Sequence, residues 1–237
     1  YELEQERVGL ITNFIQSVSH EFRTPLSSIN TSGYLLRRAI AAHAELQSAE
    51  KYIDRIMQEG DQILDLVQAL LTMSRLDSGV ELPYGRQALQ PLIRDVVSRF
   101  NNVKTKQPSI MLEMADDILY VLANGEYLDI AISKLLDNAL RYTPPECEVR
   151  VSVIRKDDDR VEICIVDEGQ GITDEALPHI FDRFYRGDKA RSTRGFGVGL
   201  PIAQKIIARH NGTITISSTP EVGTQVTVML PLFPQTD

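Results

Sequence analysis

A histidine followed by a carboxylate stands out in the stretch from Ser17 to Ser27. Apolar residues recur around it every three or four positions, which predicts one long amphipathic helix over residues 3–42. His20 lies off the apolar stripe of that helix. A solvent-facing imidazole, with an unperturbed pKa of about 6.5, is largely neutral near pH 7 and keeps a nucleophilic nitrogen. His20 is therefore a candidate phosphate acceptor, and Glu21 can take its proton or hold the ring.

A proline lies inside the same helical pattern, five residues after the histidine. Pro25 is expected to kink or loosen the helix without ending it. A His-Glu pair alone usually marks only a solvated helix face, but residues 20–26, His-Glu-Phe-Arg-Thr-Pro-Leu, resemble the phosphoacceptor box of sensor histidine kinases. The resemblance implies that His20 is phosphorylated and that Glu21 handles its proton. It also implies that Thr24, one turn further, orients a water for dephosphorylating a partner.

A second apolar pattern of helical period follows a polar break near residues 43–49. Two helices this long cannot bury wide apolar stripes against each other alone, so two hairpins are expected to form a four-helix bundle. The sequence thus predicts a homodimer, with residues 1–78 as the dimerisation and phosphoacceptor domain. Two glycines and a proline end the helical pattern, which predicts a linker over residues 79–88.

Helices and short strands are mixed in residues 89–237, which predicts an α/β sandwich with one sheet covered by helices on one face. Helical periodicity predicts helices over residues 89–102, 125–142 and 197–210. Alternating and β-branched runs predict strands over residues 109–114, 118–123, 148–154, 161–166, 213–218 and 224–230.

Two polar segments of this second domain suit a nucleotide. Asn138 and Arg141 are three residues apart and so share a helix face, where an amide oxygen can bind Mg²⁺ and a guanidinium can meet phosphate. Asp167 leaves a strand into a tight turn with Gly169 and Gly171, and its carboxylate can accept a hydrogen bond from an adenine amino group. Each segment taken alone is also compatible with an exposed helix face or an ordinary turn.

A glycine-rich turn opens the next predicted helix with Gly195, Gly197 and Gly199. Backbone N–H groups and the helix dipole at such a place favour a phosphate. The spacing matches neither a Walker motif nor a Rossmann fingerprint. The preceding residues 188–194 are polar and basic, and they are expected to form a mobile lid that shields phosphate charge.

Residues 181–187, Phe-Asp-Arg-Phe-Tyr-Arg-Gly, form a Phe-containing segment before this basic stretch. In order and spacing these segments resemble the N, G1, F and G2 boxes of the ATP-binding domain shared by histidine kinases, gyrase and related ATPases. The resemblance implies ATP and Mg²⁺ as cofactors, with residues 89–237 as the catalytic ATP-binding domain and Asn138 as the metal ligand. The implied nucleotide-binding residues are Asn138, Arg141, Tyr142, Asp167, Gly169, Gly171, Lys189, Arg194, Gly195, Gly197, Gly199, Leu200 and Thr224. Three positions depart from the pattern: Lys134 replaces an asparagine, Val198 replaces a leucine, and Pro201 lies just inside the following helix.

Together the two resemblances cover nearly the whole chain and imply the transmitter core of a two-component sensor histidine kinase. Such a core phosphorylates His20 from Mg-ATP and passes the phosphoryl group to an aspartate of a response-regulator receiver domain. A phosphatase activity toward that regulator is also expected. Two other classes remain: a dimeric scaffold that binds nucleotide without chemistry, and a conformational ATPase that hydrolyses ATP without forming a phosphoprotein.

Composition limits the partners. A formal net charge of −8 argues against a nucleic-acid-binding or anionic-membrane surface. No run approaches the roughly 18 apolar residues of a membrane span, so we expect a cytoplasmic fragment without direct membrane contact. Since the chain opens at Tyr1 inside a helical pattern, we expect it to be a fragment, and the sequence leaves open whether the parent protein is anchored to a membrane through a missing N-terminal part.

The remaining cysteines and histidines are expected to be structural. Cys147 and Cys164 fall in strand-like runs, which favours buried thiols over a disulfide or metal site. The spacing of His43, His179 and His210 offers no metal cluster. His210 precedes a helix-ending Asn-Gly pair, where a cation would complement the helix dipole.

Overall fold

The computed structural model describes residues 2–41, 46–78, 82–102, 108–114, 117–187 and 195–234. For residues 2–17, 20, 41 and 46–48 it describes the backbone alone. The chain divides into two compact units, Tyr1–Thr72 and Met73–Asp237.

Two long helices make up the first unit, as the sequence predicts. Helix α1 spans Glu2–Ala41 and helix α2 spans Leu46–Asp77, with the last turn of α2 belonging to the second unit. Pro25 is buried inside α1, which continues through it. Arg55 Nε of α2 donates to Ser28 Oγ of α1 across 3.1 Å. The predicted helical hairpin is confirmed.

The second unit mixes helices and strands. The helices are α3 (Leu89–Asn101), α4 (Gly125–Tyr142) and α5 (Gly199–Arg209), with a short 3-10 helix at Leu177–His179. The strands are β1 (Gly85–Ala88), β2 (Ser109–Met114), β3 (Tyr120–Ala123), β4 (Glu148–Arg155), β5 (Arg160–Asp167), β6 (Thr213–Thr219) and β7 (Gly223–Pro231).

Five of these strands form one sheet in the order β2-β4-β5-β7-β6, in which only the β2-β4 pair is parallel. Burial alternates along the strands: Val149, Val151 and Val153 of β4 are fully buried, while Arg150 between them is exposed. The inward side chains pack with the apolar faces of α3, α4 and α5. The predicted sheet with helices on one face is confirmed.

Strand β1 lies in the segment that the sequence assigns to a linker. It pairs antiparallel with β3, from Gly85 opposite Ala123 to Ala88 opposite Tyr120. Leu232, just beyond β7, bridges to Val121 of the same strand. The guanidinium of Arg86 lies 3.8 Å from the centre of the Tyr120 ring. β3 therefore joins the beginning of this unit to its end.

His210 contradicts the expectation of a cation at the end of α5. Its ring is 2% exposed, Nε2 accepts the Asn124 backbone N–H at 3.0 Å, and Nδ1 donates to the Ile206 carbonyl oxygen at 2.7 Å. Burial lowers the pKa of His210. Tyr84 packs edge-on against the ring and donates its hydroxyl to the Arg209 carbonyl oxygen at 2.7 Å. His210 is therefore neutral, and Tyr84 packs on it, so that the segment before β1 is held against the end of α5.

Among the other residues expected to be structural, Cys147 departs from its expectation, because it is only half-buried and lies in the bend before β4. Cys164 is buried, burial raises the pKa of its thiol, and both cysteines are free. His179 is exposed and its Nδ1 lies 2.8 Å from Asp182 Oδ2. His43 lies outside the described residues. At the end of α2, the Asp77 carboxylate binds Arg183 at 3.0 Å and also Lys205.

Candidate functional site

Helix α4 carries the central residues of the candidate nucleotide site. It begins at Asn124, whose side-chain oxygen caps the helix by accepting the Tyr127 N–H at 3.1 Å. Its apolar residues face the core, while Asn138 and Arg141 lie together on a partly exposed side. Arg141 donates from Nη2 to Asp137 Oδ2 at 2.5 Å, which fixes the guanidinium one turn along the helix.

The glycine-rich turn lies against this side of α4. Gly195 is so close to the Arg141 guanidinium that a Cβ there would collide with it, and a Cβ on Gly199 would reach contact distance of the Lys134 side chain, 3.9 Å from its Cβ and Cδ. Gly197 has a φ of +66° and accepts the Phe184 N–H at 3.0 Å, so the turn is tied to the Phe-containing segment before it. The turn thus follows α4 from Arg141 to Lys134.

Helix α5 starts from this turn, and we call its N-terminus open because no side chain of the described residues caps it. Its N-cap residue, Val198, makes no side-chain capping hydrogen bond. Pro201 lies in the first turn, where a missing N–H costs nothing in helical hydrogen bonds. The remaining N–H groups of that turn and the positive end of the helix dipole suit a phosphate group.

Asp167 ends β5 in a buried turn. It is 7% exposed, its Oδ1 accepts the Gly169 N–H at 2.9 Å, and the carboxylate also accepts the Thr224 backbone N–H. Burial raises the pKa of Asp167 in spite of these two donors. A buried carboxylate with room for one more donor suits recognition of an amino group such as that of adenine.

The Asp167 turn packs against the C-terminal end of α4. The Gln170 N–H donates to the Tyr142 carbonyl oxygen at 3.3 Å. A Cβ on Gly169 would lie 2.5 Å from that same oxygen, so only glycine permits the approach. The structure therefore brings the Asn138, Asp167 and Gly195–Leu200 segments together, with Thr224 beside Asp167 in the sheet.

One connecting residue was missed in the sequence. The Ser218 hydroxyl accepts the Ile172 N–H, donates to the Gly223 carbonyl oxygen and contacts Thr224 Oγ1, each at 2.9 Å. It joins the Asp167 turn to the β6–β7 turn. A serine at the end of an alternating strand carries no signal that separates this role from simple exposure.

The remaining predicted site residues divide into two groups. Lys189 and Arg194 of the expected lid lie outside the described residues. His20, Glu21 and Thr24 lie in α1 of the first unit. Glu21 is partly exposed and Thr24 is exposed, and for His20 the description extends to its helical backbone.

The residues of the second unit fit ATP with Mg²⁺. In the part of the chain that the structure describes, the Asn138 amide makes no hydrogen bond, so its oxygen is available to a cation. The described residues contain no group of three or more metal-ligating His, Cys, Asp or Glu side chains. One amide oxygen beside a phosphate site suits Mg²⁺, which proteins commonly hold through few side chains together with phosphates and water.

Two family models match the chain. The His Kinase A (phospho-acceptor) domain matches residues 10–79, and the Histidine kinase-, DNA gyrase B-, and HSP90-like ATPase matches residues 123–234. These two models describe a phosphoacceptor domain and an ATP-binding domain, and together they match most of the chain. The chain belongs to the two-component sensor histidine kinases.

Relatives of known name agree with this assignment. The Sensor-like histidine kinase SenX3 of Mycobacterium tuberculosis (strain ATCC 25618 / H37Rv) is 32% identical over 223 residues, 92% of this chain and 53% of SenX3. The Sensor histidine kinase WalK of Bacillus subtilis (strain 168) is 31% identical over 236 residues, 97% of this chain and 37% of WalK. The chain therefore spans about half of SenX3 and less of WalK.

Solved structures show the same fold. The Acinetobacter baumannii histidine kinase AdeS superposes with a TM-score of 0.67 at 20% identity, covering 91% of this chain and 98% of AdeS. The mycobacterial sensor histidine kinase MprB superposes with a TM-score of 0.56 at 25% identity, covering 65% of this chain and all of MprB. The predicted fold class is confirmed. Among the described helices, none combines the length and apolar character needed to cross a bilayer.

Proposed function

We propose that this chain is a transmitter core that phosphorylates its own His20 from Mg-ATP and passes the phosphoryl group to a response regulator. The observation that carries the proposal is the convergence of Asn138, the buried Asp167 and the open N-terminus of α5 in one unit. The other unit supplies a histidine box on a long helix. We keep residues 1–78, 79–88 and 89–237 as the proposed phosphoacceptor domain, linker and ATP-binding domain.

In the proposed reaction a His20 ring nitrogen forms a bond to the γ-phosphorus of ATP. The bond from that phosphorus to the β,γ-bridging oxygen breaks, ADP leaves, and Glu21 accepts the ring proton. A carboxylate oxygen of a receiver-domain aspartate then takes the phosphoryl group. The nitrogen–phosphorus bond breaks, and the imidazole regains its ring proton from Glu21.

Arg141 and the backbone N–H groups from Gly195 to Leu200 position the phosphates, and Asp167 holds the adenine. The proposed lid residues Lys189 and Arg194 shield the phosphate charge. Because phosphoryl transfer depends mainly on positioning and charge neutralisation, these groups matter as much as the base. Mg²⁺, when bound, supplies further neutralisation, and Asn138 is the side chain proposed to hold it.

A stripe of exposed apolar residues on α2 supports a homodimer. Ile53, Met57, Leu64, Val67 and Leu71 are all at least 38% exposed. At 3.6 residues per turn they fall on one side of the helix. Burying this stripe against a second copy, as a four-helix bundle does, removes it from water.

A labelling experiment tests the proposed phosphorylation. With γ-labelled ATP, the wild-type chain is expected to gain acid-labile, base-stable label. His20→Gln should bind ATP with unchanged affinity yet gain no label, because the nucleotide contacts lie in the other unit. His179→Gln, which changes an exposed histidine of the second unit, serves as the matched control and should label normally.

The alternatives give different results in the same experiment. A scaffold binds ATP and gains no label, while a conformational ATPase releases phosphate steadily without labelled protein. Label retained in His20→Gln would disprove the acceptor assignment.

The proposed phosphatase activity requires a separate test. Thr24 lies one turn from His20 and is exposed, so its hydroxyl can orient a water toward a regulator acyl-phosphate. Thr24→Ala should keep autophosphorylation while losing most dephosphorylation of a labelled receiver domain. If both activities fall together with the melting temperature, Thr24 acts only by stabilising the helix before Pro25. Undiminished phosphatase activity would remove Thr24 from the mechanism.

A further inference from the structure

Three polar side chains follow one another along the site-facing side of α4. Lys134, Asn138 and Arg141 are spaced by four and three residues, so they lie on successive turns of the same helix face. Lys134 takes a position where the resembling kinases carry an asparagine. The row therefore has a cation at each end, Lys134 at one end and Arg141 at the other.

Contacts with the glycine-rich turn fix where Lys134 lies. A Cβ on Gly199 would be 3.9 Å from both Cβ and Cδ of Lys134, so the lysine stem packs along the first residue of α5. The ammonium group is two bonds beyond Cδ. It is therefore within reach of the open N–H groups at the start of α5, where a phosphate is expected.

The two cations of this row differ in their partners. Arg141 is held by the Asp137 carboxylate at 2.5 Å. Lys134 has neither an acidic partner nor a hydrogen bond among the residues that the structure describes. The Lys134 ammonium and the positive N-terminal end of the α5 dipole repel each other. An anion bound between them relieves this repulsion, so the arrangement favours anion binding.

The position of each residue along the axis of α4 indicates which part of a bound nucleotide it would face. Its C-terminal residue Tyr142 contacts the turn that follows the adenine-recognising Asp167. Lys134 lies eight residues before Tyr142, about 12 Å along the axis at roughly 1.5 Å per residue. Of the three polar side chains, Lys134 is therefore the farthest from the base and the nearest to the end of the phosphate chain.

We propose that Lys134 binds the terminal phosphate of ATP. It supplies a positive charge where an asparagine would offer only a neutral amide, and Lys134 and Arg141 together flank Asn138. The proposal deepens the function proposed above, since it rests on ATP occupying this site. It makes Lys134 a residue that distinguishes ATP from ADP, beyond its contribution to overall affinity.

Nucleotide affinity, measured by titration calorimetry on the purified chain, tests the proposal. Lys134→Met should weaken ATP binding about tenfold, the expected loss of a hydrogen bond to a charged group, and ADP binding much less. Lys134→Arg, which keeps the positive charge, should bind ATP in preference to ADP as the wild type does. The loss for ATP should be larger in EDTA than with Mg²⁺, because fewer cations then share the phosphate charge.

Lys156→Met is the matched control. Lys156 binds Glu162 at 3.0 Å in the β4–β5 hairpin and should leave both affinities unchanged. Melting curves of the apo proteins check folding, and Lys134→Gln replaces Lys134→Met if the latter is unstable.

Equal losses for ATP and ADP, or no loss, would overturn the proposal while leaving the kinase function intact. If the wild-type chain binds no ATP, the result contradicts the proposed kinase function itself, on which the role of Lys134 rests.

Discussion

The two units bury their apolar residues in different ways. In the α/β unit, sheet and helices enclose a complete core, and its large exposed apolar residues are scattered over separate elements, as Met111, Leu122 and Ile154 are. On the hairpin, the exposed apolar residues of α2 fall on one stripe. The α/β unit is therefore stabilised by its own packing, and the exposed stripe supports the proposal that the hairpin is stabilised by association with a second copy.

The largest expected effect comes from placing a charge on the hairpin stripe. Leu64→Glu should weaken dimerisation at least a hundredfold, because the association would have to bury an unpaired carboxylate at a cost of several kcal/mol. Val222→Glu is the matched control: Val222 is 66% exposed in the α/β unit and Leu64 is 67% exposed in the hairpin. Sedimentation velocity of both variants measures the difference. A dimeric Leu64→Glu would mean that α2 does not form the interface.

A second substitution removes the carboxylate proposed to recognise adenine and tests whether the α/β unit keeps its fold. Asp167→Asn should lower ATP affinity roughly 10- to 100-fold through loss of a charged acceptor. Since burial raises the pKa of Asp167, its ionised form costs folding free energy, and this cost develops as pH rises through the carboxyl range. The apo variant should therefore stay folded and dimeric at neutral pH.

Calorimetry and melting curves measure both properties of Asp167→Asn, with the exposed Asp157→Asn as control. Wild-type affinity in Asp167→Asn would exclude adenine recognition by this carboxylate.

The smallest expected effect is a pH dependence confined to the α/β unit. Burial lowers the pKa of His210, so the unfolded chain takes up a proton before the folded unit does. Stability should hold above about pH 6.5, the unfolded value, and fall as pH drops below it toward the lower folded pKa. Hydrogen exchange of residues 82–88 against pH measures this, because Tyr84 packs on the ring.

His210→Gln should be less stable at pH 7.5 but should show a flatter pH dependence. His179→Gln should keep the wild-type slope. An equally steep slope in His210→Gln would assign the pH dependence to another group.

Local signals predicted most of the elements. The sequence gives helix α4 its observed bounds, because an N-capping Asn124 precedes a clear apolar period of helical spacing. Strand β2 is likewise predicted with its observed bounds by its alternation. Helix α5 begins two residues later than predicted, since the positive φ of Gly197 keeps that residue in the turn.

Features that depend on distant partners were not predicted. Strand β1, Gly-Arg-Gln-Ala, has no strand signal and forms only through pairing with β3. The neutral His210 depends on Asn124, 86 residues away, which no local pattern connects to it. In the candidate site, the segments proposed to bind nucleotide were predicted from their residue types and spacing. The hydrogen bonds of Ser218 and the position of Lys134 beside Gly199 follow from tertiary packing alone.

Strand β3 has a consequence for the modularity of this protein. Because β1 pairs with β3 and Leu232 bridges to Val121, the part of the α/β unit that follows α2 begins and ends beside the same strand. A unit whose ends adjoin tolerates circular permutation and insertion into other proteins. Residue 234 joined to residue 82 by a short linker, with new ends opened in the exposed turn at residues 157–159, should give a permuted protein that keeps Tyr84 on His210 and still folds.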